Sequence, residues 1–329
     1  MKIEQGHGSA VYHCISRTVN KEMLFDVGAK EVFRRQIWRV AEFSGVRILT
    51  YCVMTNHVHL LVWVPDRNEV EVTDQELVRR YRVLYGERTQ YQRMRTEVVE
   101  KTLQGGGEEA QELRERLMHR MHDISEYMKS LKQRYTRWYN HKHGRVGTLW
   151  SERFKSMMVQ EQGEGVRIVA AYIDLNPVRG GMVEDPKDYR YSGYGEAMGG
   201  SKGAREGLAW VMGQEAGRWG EESASYRRLV YCKGAVGAPG QGGGGKIRQE
   251  RWREQMERGG RLPVAEAIRC RVRYFADGGV IGTGAYVQRI FESNREQFGA
   301  RRRTGPRRMK GSEWEGLRVL RDLRNEVFG

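Results

Sequence analysis

The segment 57–64, His-Val-His-Leu-Leu-Val-Trp-Val, constrains the fold more than any other part of the chain. Successive side chains of a β-strand point to opposite faces of the sheet, so residues two apart share a face. His57 and His59 are therefore predicted to project together from one face of a strand. The opposite face is predicted to be filled by Val58, Leu60, Val62 and Val64.

The residues before this strand predict a strand, a helix and a second strand. Apolar alternation around His13 is typical of a half-buried strand. Asp26 is expected to cap a helix whose apolar positions recur with 3.6-residue spacing, and Gly45 is expected to end it. A further extended run, 46–54, leads through a short turn into the histidine strand.

The charge indicates a polyanionic partner. The 329 residues carry a formal net charge of +15, and the last 129 residues carry +11 of it. A chain this basic is expected to bind nucleic acid, and the charge disfavours a hydrolase of small phosphoesters. No apolar run has membrane-spanning length, no apolar N-terminal segment resembles a signal peptide, and the four cysteines are too scattered for a zinc site or a disulfide framework. We therefore expect a cytoplasmic protein without a membrane-bound part.

Composition and pattern divide the chain into four segments, with boundaries near residues 65, 122 and 200. Residues 66–122 are charged and predict an inserted pair of helices without chemistry, interrupted at Gly105–Gly107. An amphipathic helix follows from Ile124 to Trp138. Residues 201–260 predict a Gly-rich linker with helices, and 261–329 predict a small, basic, helical C-terminal module whose last helix spans about 312–328.

The chemistry of the histidine pair cannot be decided from its spacing. Two imidazoles two residues apart on a strand can bind one divalent metal, but the spacing alone favours two strand histidines without a metal. A helix that ends near Pro177 places Tyr172 and Asn176 one turn apart on the same face. Asn176 offers an oxygen ligand, whereas Tyr172 fits either a packed aromatic or a nucleophile.

Several separated motifs, in order, resemble one family. They are Tyr12-His13 with Ser16-Arg17, then 54–62 (Met-Thr-Asn-His-Val-His-Leu-Leu-Val), 144–150 (Gly-Arg-Val-Gly-Thr-Leu-Trp), 153–156 (Arg-Phe-Lys-Ser), 172–179 (Tyr-Ile-Asp-Leu-Asn-Pro-Val-Arg) and 191–194 (Tyr-Ser-Gly-Tyr). Together they resemble the single-tyrosine HUH insertion-sequence transposases, in particular the REP-associated tyrosine transposases. The resemblance covers about residues 1–200 without the insertion. Thr55 stands where the family commonly has proline, which changes only a turn residue.

The resemblance implies an α+β fold, namely a ferredoxin-like or RRM-like antiparallel sheet with helices on one face. It also implies that His57, His59 and Asn176 hold Mg²⁺ or Mn²⁺ and that Tyr172 is the nucleophile. The implied activity is that of an endonuclease and strand transferase on single-stranded or hairpin DNA, such as palindromic repeats, by a monomer or a homodimer. The alternative is a non-catalytic, domesticated protein that binds repeat DNA as a regulator.

Basic residues in two regions are candidates for contacts with DNA phosphates. The C-terminal arginines lie between predicted helices, and truncation near Gly240 is expected to weaken DNA binding while leaving the chemistry at Tyr172 intact. The candidates are Arg17, Lys132, Arg145, Arg153, Lys155, Arg301, Arg302, Arg303, Arg307 and Arg308.

Overall fold

A computed structural model describes residues 8–86, 89–214, 224–230, 264, 268, 274–310, 312 and 314–321. The Gly-rich linker expected around 234–245 lies outside these residues. The first part of the fold runs in the order β1 (Ala10–Arg17), α1 (Val27–Ser44), β2 (Arg47–Val53), β3 (His57–Val64), α2 (Asp74–Tyr85), α3 (Gln90–Gly105), α4 (Gly107–Met118), α5 (Ile124–His143) and β4 (Lys155–Val159). It continues with α6 (Glu164–Asp174), α7 (Asn176–Arg179), α8 (Gly193–Met198), α9 (Lys202–Met212), α10 (Tyr274–Asp277), β5 (Val280–Gly282), α11 (Gly284–Ser293), β6 (Arg307–Arg308) and β7 (Arg318–Val319).

The strands form one sheet in the order β2-β3-β1-β4-β5-β7-β6. β1 lies antiparallel to both β3 and β4, and β2 lies antiparallel to β3. With α1 after β1 and α5 before β4, the first four strands form the ferredoxin-like β-α-β-β-α-β arrangement. The predicted α+β fold class is confirmed.

Helix α1 begins and ends where the sequence predicts. The Asp26 side chain accepts a hydrogen bond from the backbone N–H of Ala29, and Gly45 closes the helix in the left-handed conformation with φ of 65°. Only glycine adopts this conformation without a steric cost. Both helix signals therefore act locally, as expected.

One face of the sheet packs against α1 and α5 through an aromatic cluster. Phe25 stacks on Tyr135 with ring centroids 5.0 Å apart, and Phe33 meets Tyr135 edge-on at 5.0 Å. The aliphatic face of β3 (Val58, Leu60, Val62 and Val64) joins this cluster. This is the helical layer that the family resemblance implies.

The other face of the sheet is also covered, which corrects the expectation of helices on one face only. Leu61 of β3 and Val11 of β1 pack in a second apolar cluster with α6, α8 and α9. Residues 57–64 have side chains of both faces buried, so each face needs a covering layer. Helix α6 is consequently buried on all sides rather than along one stripe.

The insertion contains three helices rather than the expected pair. Leu77 of α2, Leu103 of α3 and Leu117 of α4 are buried and continuous with the aromatic cluster beneath α1. Glycines at 106 and 107 adopt positive φ values, which permits the sharp turn between α3 and α4. The insertion thus extends the core, although its outer surface is charged.

The C-terminal segment joins the central sheet instead of forming a purely helical appendage. β5 pairs parallel to β4, and β7 and β6 follow it. Helix α11 is a helical part of this segment and buries Val287, Ile290 and Phe291. The helix expected over 312–328 is wrong for its described part, which forms a short 3-10 turn and strand β7. None of the described helices is both long and apolar enough to cross a bilayer.

A β-bulge in β2 shapes the contact with the second helical layer. The register with β3 shifts between Ile48 and Thr50, so Leu49 is the extra residue. Helix α9 lies so close to this bulge that a Cβ on Gly207 would be 2.4 Å from the carbonyl oxygen of Ile48 and 2.6 Å from that of Leu49. Glycine is therefore required at position 207 by a close backbone contact.

We expect Gly207→Ala to lower the free energy of unfolding by about 1–3 kcal/mol, because backbone atoms cannot move aside as a flexible side chain would. Urea denaturation monitored by circular dichroism measures the change. Gly105→Ala is the matched control, since no atom lies within 4 Å of a Cβ there and the change is expected to be neutral or slightly stabilising. Equal stability of the Gly207→Ala variant and the native protein would contradict this account.

Candidate active site

Three histidines lie together on the face of the sheet that α6 covers. His57 and His59 share this face of β3, with ring centroids 5.1 Å apart. His13 of the neighbouring strand β1 stacks on His59 at 5.2 Å, and its Nε2 lies 3.0 Å from His59 Nδ1. β1 and β3 thus place three imidazoles next to one another.

Helix α6 places Tyr172 against these histidines. The Tyr172 ring centroid lies 6.0 Å from that of His59 and 6.2 Å from that of His13. The Tyr172 residue is only 4% exposed, because the Phe275 ring covers it edge-on at 4.7 Å and the Arg179 guanidinium lies 3.9 Å from its ring centroid. Within the described part of the chain, the Tyr172 hydroxyl has no hydrogen-bond partner.

Asn176 is buried at the start of α7, one turn after Tyr172. Its side-chain Nδ2 donates to the carbonyl oxygens of Tyr172 and Ile173, each at 3.1 Å. These bonds orient the amide. They leave its Oδ1 as the atom that can accept a hydrogen bond or bind a cation.

Burial keeps the inner histidines neutral. It lowers the pKa of His13 to about 4, and it lowers the pKa of His59 well below its usual range, with a further contribution from the nearby imidazole of His57. A neutral imidazole carries one N–H and one lone pair, which is the form that binds metals. Both rings are in that form at neutral pH.

The donor set fits a divalent cation. His57 Nδ1 lies 2.8 Å from Asn56 Oδ1 and His59 Nδ1 lies 3.0 Å from His13, so the Nδ1 atom of each ring is held by a protein partner. Metal-binding histidines commonly have their second nitrogen fixed in this way. The described residues contain no cluster of three or more His, Cys, Asp and Glu side chains suited to a metal.

A buried carboxylate fastens α6 to the bulged strand. Asp174 accepts hydrogen bonds from Thr50 Oγ1 at 2.9 Å, from the backbone N–H of Tyr194 at 3.1 Å and from the Tyr226 hydroxyl at 2.5 Å. Burial raises the pKa of Asp174 to about 7, despite these three donors. The carboxylate ties β2, α8 and the helical segment 224–230 to the helix that carries Tyr172.

Two of the basic candidates lie near the histidines. Arg17 is paired opposite His57 across β1 and β3, and its charge contributes to the low pKa of His59. Lys155 begins β4 opposite Ile15 of β1, and its Nζ lies 3.4 Å from Asp277 Oδ1. These two cations therefore lie at the same end of the sheet as the histidine pair.

The next three basic candidates lie in and after α5. Lys132 Nζ lies 5.1 Å from the centroid of the Trp150 ring and donates to the carbonyl oxygen of Glu152. Burial lowers the pKa of Lys132 to about 8. Arg145 forms an ion pair with Glu22 at 2.7 Å, whereas Arg153 is exposed. Of these three, Arg153 presents its charge most openly to solvent.

The C-terminal arginines lie at the far edge of the sheet. Arg307 and Arg308 form β6, five strands from β3, which corresponds to roughly 24 Å at a spacing of about 4.8 Å per strand. Arg301 and Arg303 are exposed, but Arg302 is half-buried between Phe291 and Phe298 and donates to backbone carbonyls. Arg302 therefore supports the local fold, unlike its neighbours.

Sequence reasoning missed three residues of the site. His13 follows the alternation of β1 but had no apparent partner. Arg179 ends the motif 172–179 but was not connected with the Tyr172 ring, and Phe275 contacts Tyr172 from an element that no local pattern connects to it. Because Phe275 covers Tyr172 and β5 pairs with β4, the expectation that truncation near Gly240 leaves the chemistry intact conflicts with the structure.

The site thus consists of a histidine pair on a ferredoxin-like sheet and a tyrosine on the helix that covers it. Residues 7–102 match the family model described as "Transposase IS200 like". This match confirms, for that segment, the resemblance to transposases that the motifs indicate. It includes His13, His57 and His59 and ends before the helix that carries Tyr172.

The other comparisons are more distant. A solved structure described as "Structure of the REP associates tyrosine transposase bound to a REP hairpin" aligns with a TM-score of 0.37 and 14% sequence identity. The alignment covers 61% of this chain and 86% of that chain. No curated protein matches this chain.

We expect Thr50→Val to lower the free energy of unfolding by about 1–3 kcal/mol, because it removes a hydroxyl that donates to the buried Asp174 while keeping the side-chain volume. Thr50→Ser keeps the hydroxyl and is the matched control, with a smaller expected loss. Chemical denaturation compares the two variants. A Thr50→Val variant as stable as Thr50→Ser would show that the hydrogen bond does not anchor α6.

Proposed function

We propose that this protein cleaves and rejoins single-stranded or hairpin DNA through a covalent 5′-phosphotyrosine at Tyr172. The observation that carries the proposal is the convergence of Tyr172, His57 and His59 on one face of the sheet, from elements more than a hundred residues apart in sequence. The transposase match over residues 7–102 supports DNA as the substrate. Palindromic repeats are the substrate class implied by the motifs.

The chemistry divides a strand exchange into two displacements. In the first, the Tyr172 oxygen bonds to the phosphorus, the bond from phosphorus to the 3′ oxygen breaks, and the hydroxyl proton passes to solvent or the departing 3′ oxygen. In the second, a 3′-hydroxyl oxygen bonds to the phosphorus, the bond from phosphorus to the Tyr172 oxygen breaks, and Tyr172 regains a proton as the phosphodiester is restored. Arg179 holds the Tyr172 ring in place, and Arg17 is positioned to neutralise phosphate charge near the histidines.

A hard divalent cation, Mg²⁺ or Mn²⁺, fits the donor set. We propose that His57 and His59 bind it through Nε2 and that Asn176 adds its Oδ1. When bound, the cation would supply Lewis-acid polarisation of a phosphoryl oxygen. The protein's own contribution is to hold the two imidazoles and the Tyr172 hydroxyl on one face of the sheet.

Tyr172→Phe is expected to stop formation of the covalent adduct, by more than about a thousandfold, because it removes only the attacking oxygen. DNA binding is expected to persist, since the ring still packs on Phe275. Hairpin DNA with a single-stranded flank is incubated with Mn²⁺ and resolved on a denaturing gel. With the native protein, DNA labelled at its 3′ end should migrate with the protein, whereas a label at the 5′ end should be released on a shorter free strand. With Tyr172→Phe, neither product is expected.

Tyr135→Phe is the matched control for this experiment. Tyr135 is also buried, but it lies on α5, which packs against the opposite face of the sheet. His57→Ala and His59→Ala are each expected to abolish the adduct through loss of the metal. Adduct formation by Tyr172→Phe would identify another nucleophile. DNA binding without any adduct in the native protein would favour the non-catalytic regulator.

We also propose that the C-terminal arginines contact phosphates of the bound DNA strand at a point distant from the nucleophile. The double variant Arg301→Ala/Arg303→Ala is expected to reduce the slope of log affinity against log salt by about 1.4, since each lost contact to single strands contributes about 0.7. Fluorescence anisotropy at several salt concentrations measures this slope. Arg35→Ala is the control, because Arg35 is exposed but belongs to α1 and pairs with Glu31. An unchanged slope in the double variant would show that these arginines do not contact DNA.

A further inference from the structure

We infer that His13 is a positioning residue, which fixes the tautomer of His59 under the control of the C-terminal segment. A chain of hydrogen bonds runs from the carbonyl oxygen of Phe275 to His13 and on to His59. The inference rests on the proposed function, because its consequence concerns the metal site. No sequence pattern links the ends of this chain, since His13 and Phe275 are 262 residues apart.

The direction of each hydrogen bond follows from the first one. His13 Nδ1 lies 2.8 Å from the carbonyl oxygen of Phe275, which can only accept a hydrogen bond, so the proton of His13 is on Nδ1. The His13 ring is 1% exposed, and its two nitrogens contact a carbonyl oxygen and an imidazole but no carboxylate, so the ring is neutral and its Nε2 acts as an acceptor. The state of His13 is therefore set by a backbone atom.

The same reasoning then fixes His59. Its Nδ1 lies 3.0 Å from the acceptor Nε2 of His13, so His59 must carry its proton on Nδ1. The lone pair of His59 is consequently on Nε2. A neutral imidazole free of this constraint would divide its proton between both nitrogens, and only one of the two forms has the lone pair on Nε2.

His57 reaches the same tautomer by a separate route. The Asn56 side chain donates from Nδ2 to the carbonyl oxygen of Lys21 at 3.2 Å, which turns its Oδ1 toward His57. His57 Nδ1 lies 2.8 Å from that oxygen and must donate to it. Two independent contacts therefore place a proton on Nδ1 of both histidines of the pair, which leaves Nε2 as the nitrogen that can present a lone pair.

The location of His13 suits a positioning role. It is 1% exposed and lies on β1, diagonally across from His59, because Ile15 is the residue that pairs with His59. Its acceptor is the carbonyl oxygen of Phe275 in α10. α10 has only four residues, so its carbonyl oxygens are not all occupied by hydrogen bonds within the helix. α10 reaches this position because β5, directly after it, pairs with β4.

The test measures binding of Mn²⁺ alone to the full-length protein by electron paramagnetic resonance. His13→Leu removes both hydrogen bonds and is expected to weaken binding 10- to 100-fold, the usual effect of losing an outer partner of a metal-binding histidine. His13→Gln provides one acceptor and one donor and is expected to restore most of the affinity. Met157→Leu is the matched control, since Met157 pairs with His13 across β1 and β4 but has no part in the chain of hydrogen bonds.

A second measurement does not depend on any variant at His13 folding. Nitrogen NMR of the metal-free native protein with ¹⁵N-labelled histidine reports which ring nitrogen carries the proton, and His59→Gln assigns the signals. We expect the proton of His59 on Nδ1.

The outcomes separate this inference from the proposed function. Unchanged Mn²⁺ affinity in a folded His13→Leu variant, or a His59 proton on Nε2, would overturn the positioning role. Affinity as low in His13→Gln as in His13→Leu would do the same, because packing rather than hydrogen bonding would then explain the loss. Failure of the native protein to bind Mn²⁺ would reject the proposed metal site, while the NMR result would still decide the tautomer.

Discussion

Burial of the central strands on both faces is the constraint on which the rest of the structure depends. β1 and β3 contact the aromatic cluster of α1 and α5 on one face and helix α6 on the other. A polar group on the second face is cut off from water, so it must find a protein partner or destabilise the fold. His13, His59 and Asp174 meet this requirement in different ways: the imidazoles bind each other and a backbone carbonyl, and the carboxylate takes three donors. The candidate site is thus built from polar residues that the sheet forces into ordered contacts.

The C-terminal segment belongs to the site as much as to the surface. Its strands extend the sheet by parallel pairing with β4, and α10 brings Phe275 onto both the Tyr172 ring and the His13 imidazole. Placement of the histidines is therefore coupled to the docking of residues far along the chain. The exposed arginines of the same segment lie at the opposite edge of the sheet, so one segment combines support of the site with a separate basic surface.

The basic residues differ in what they can contribute, although the sequence presents them as one group. Arg17 and Lys155 lie at the end of the sheet where the histidine pair is found. Arg145 is compensated by Glu22, and Arg302 is enclosed by phenylalanine rings and bonded to carbonyls. Charge composition indicates a polyanionic partner for the chain as a whole. An arginine that is paired with a carboxylate, or stacked between aromatic rings, contributes less to the basic surface that such a partner would contact.

The sequence by itself determined the elements whose signals are local. Alternation placed His57 and His59 on one face of β3, and Asp26 and Gly45 marked the ends of α1, because a strand repeat and a helix cap depend only on near neighbours. Tertiary structure alone decided that helices cover both faces, that the insertion has three helices, and that the end of the chain enters the sheet. It also decided the partner of His13, since a contact across 262 residues is set by strand pairing and not by spacing. Periodicity reports which face a residue occupies, whereas only packing reports what lies opposite that face.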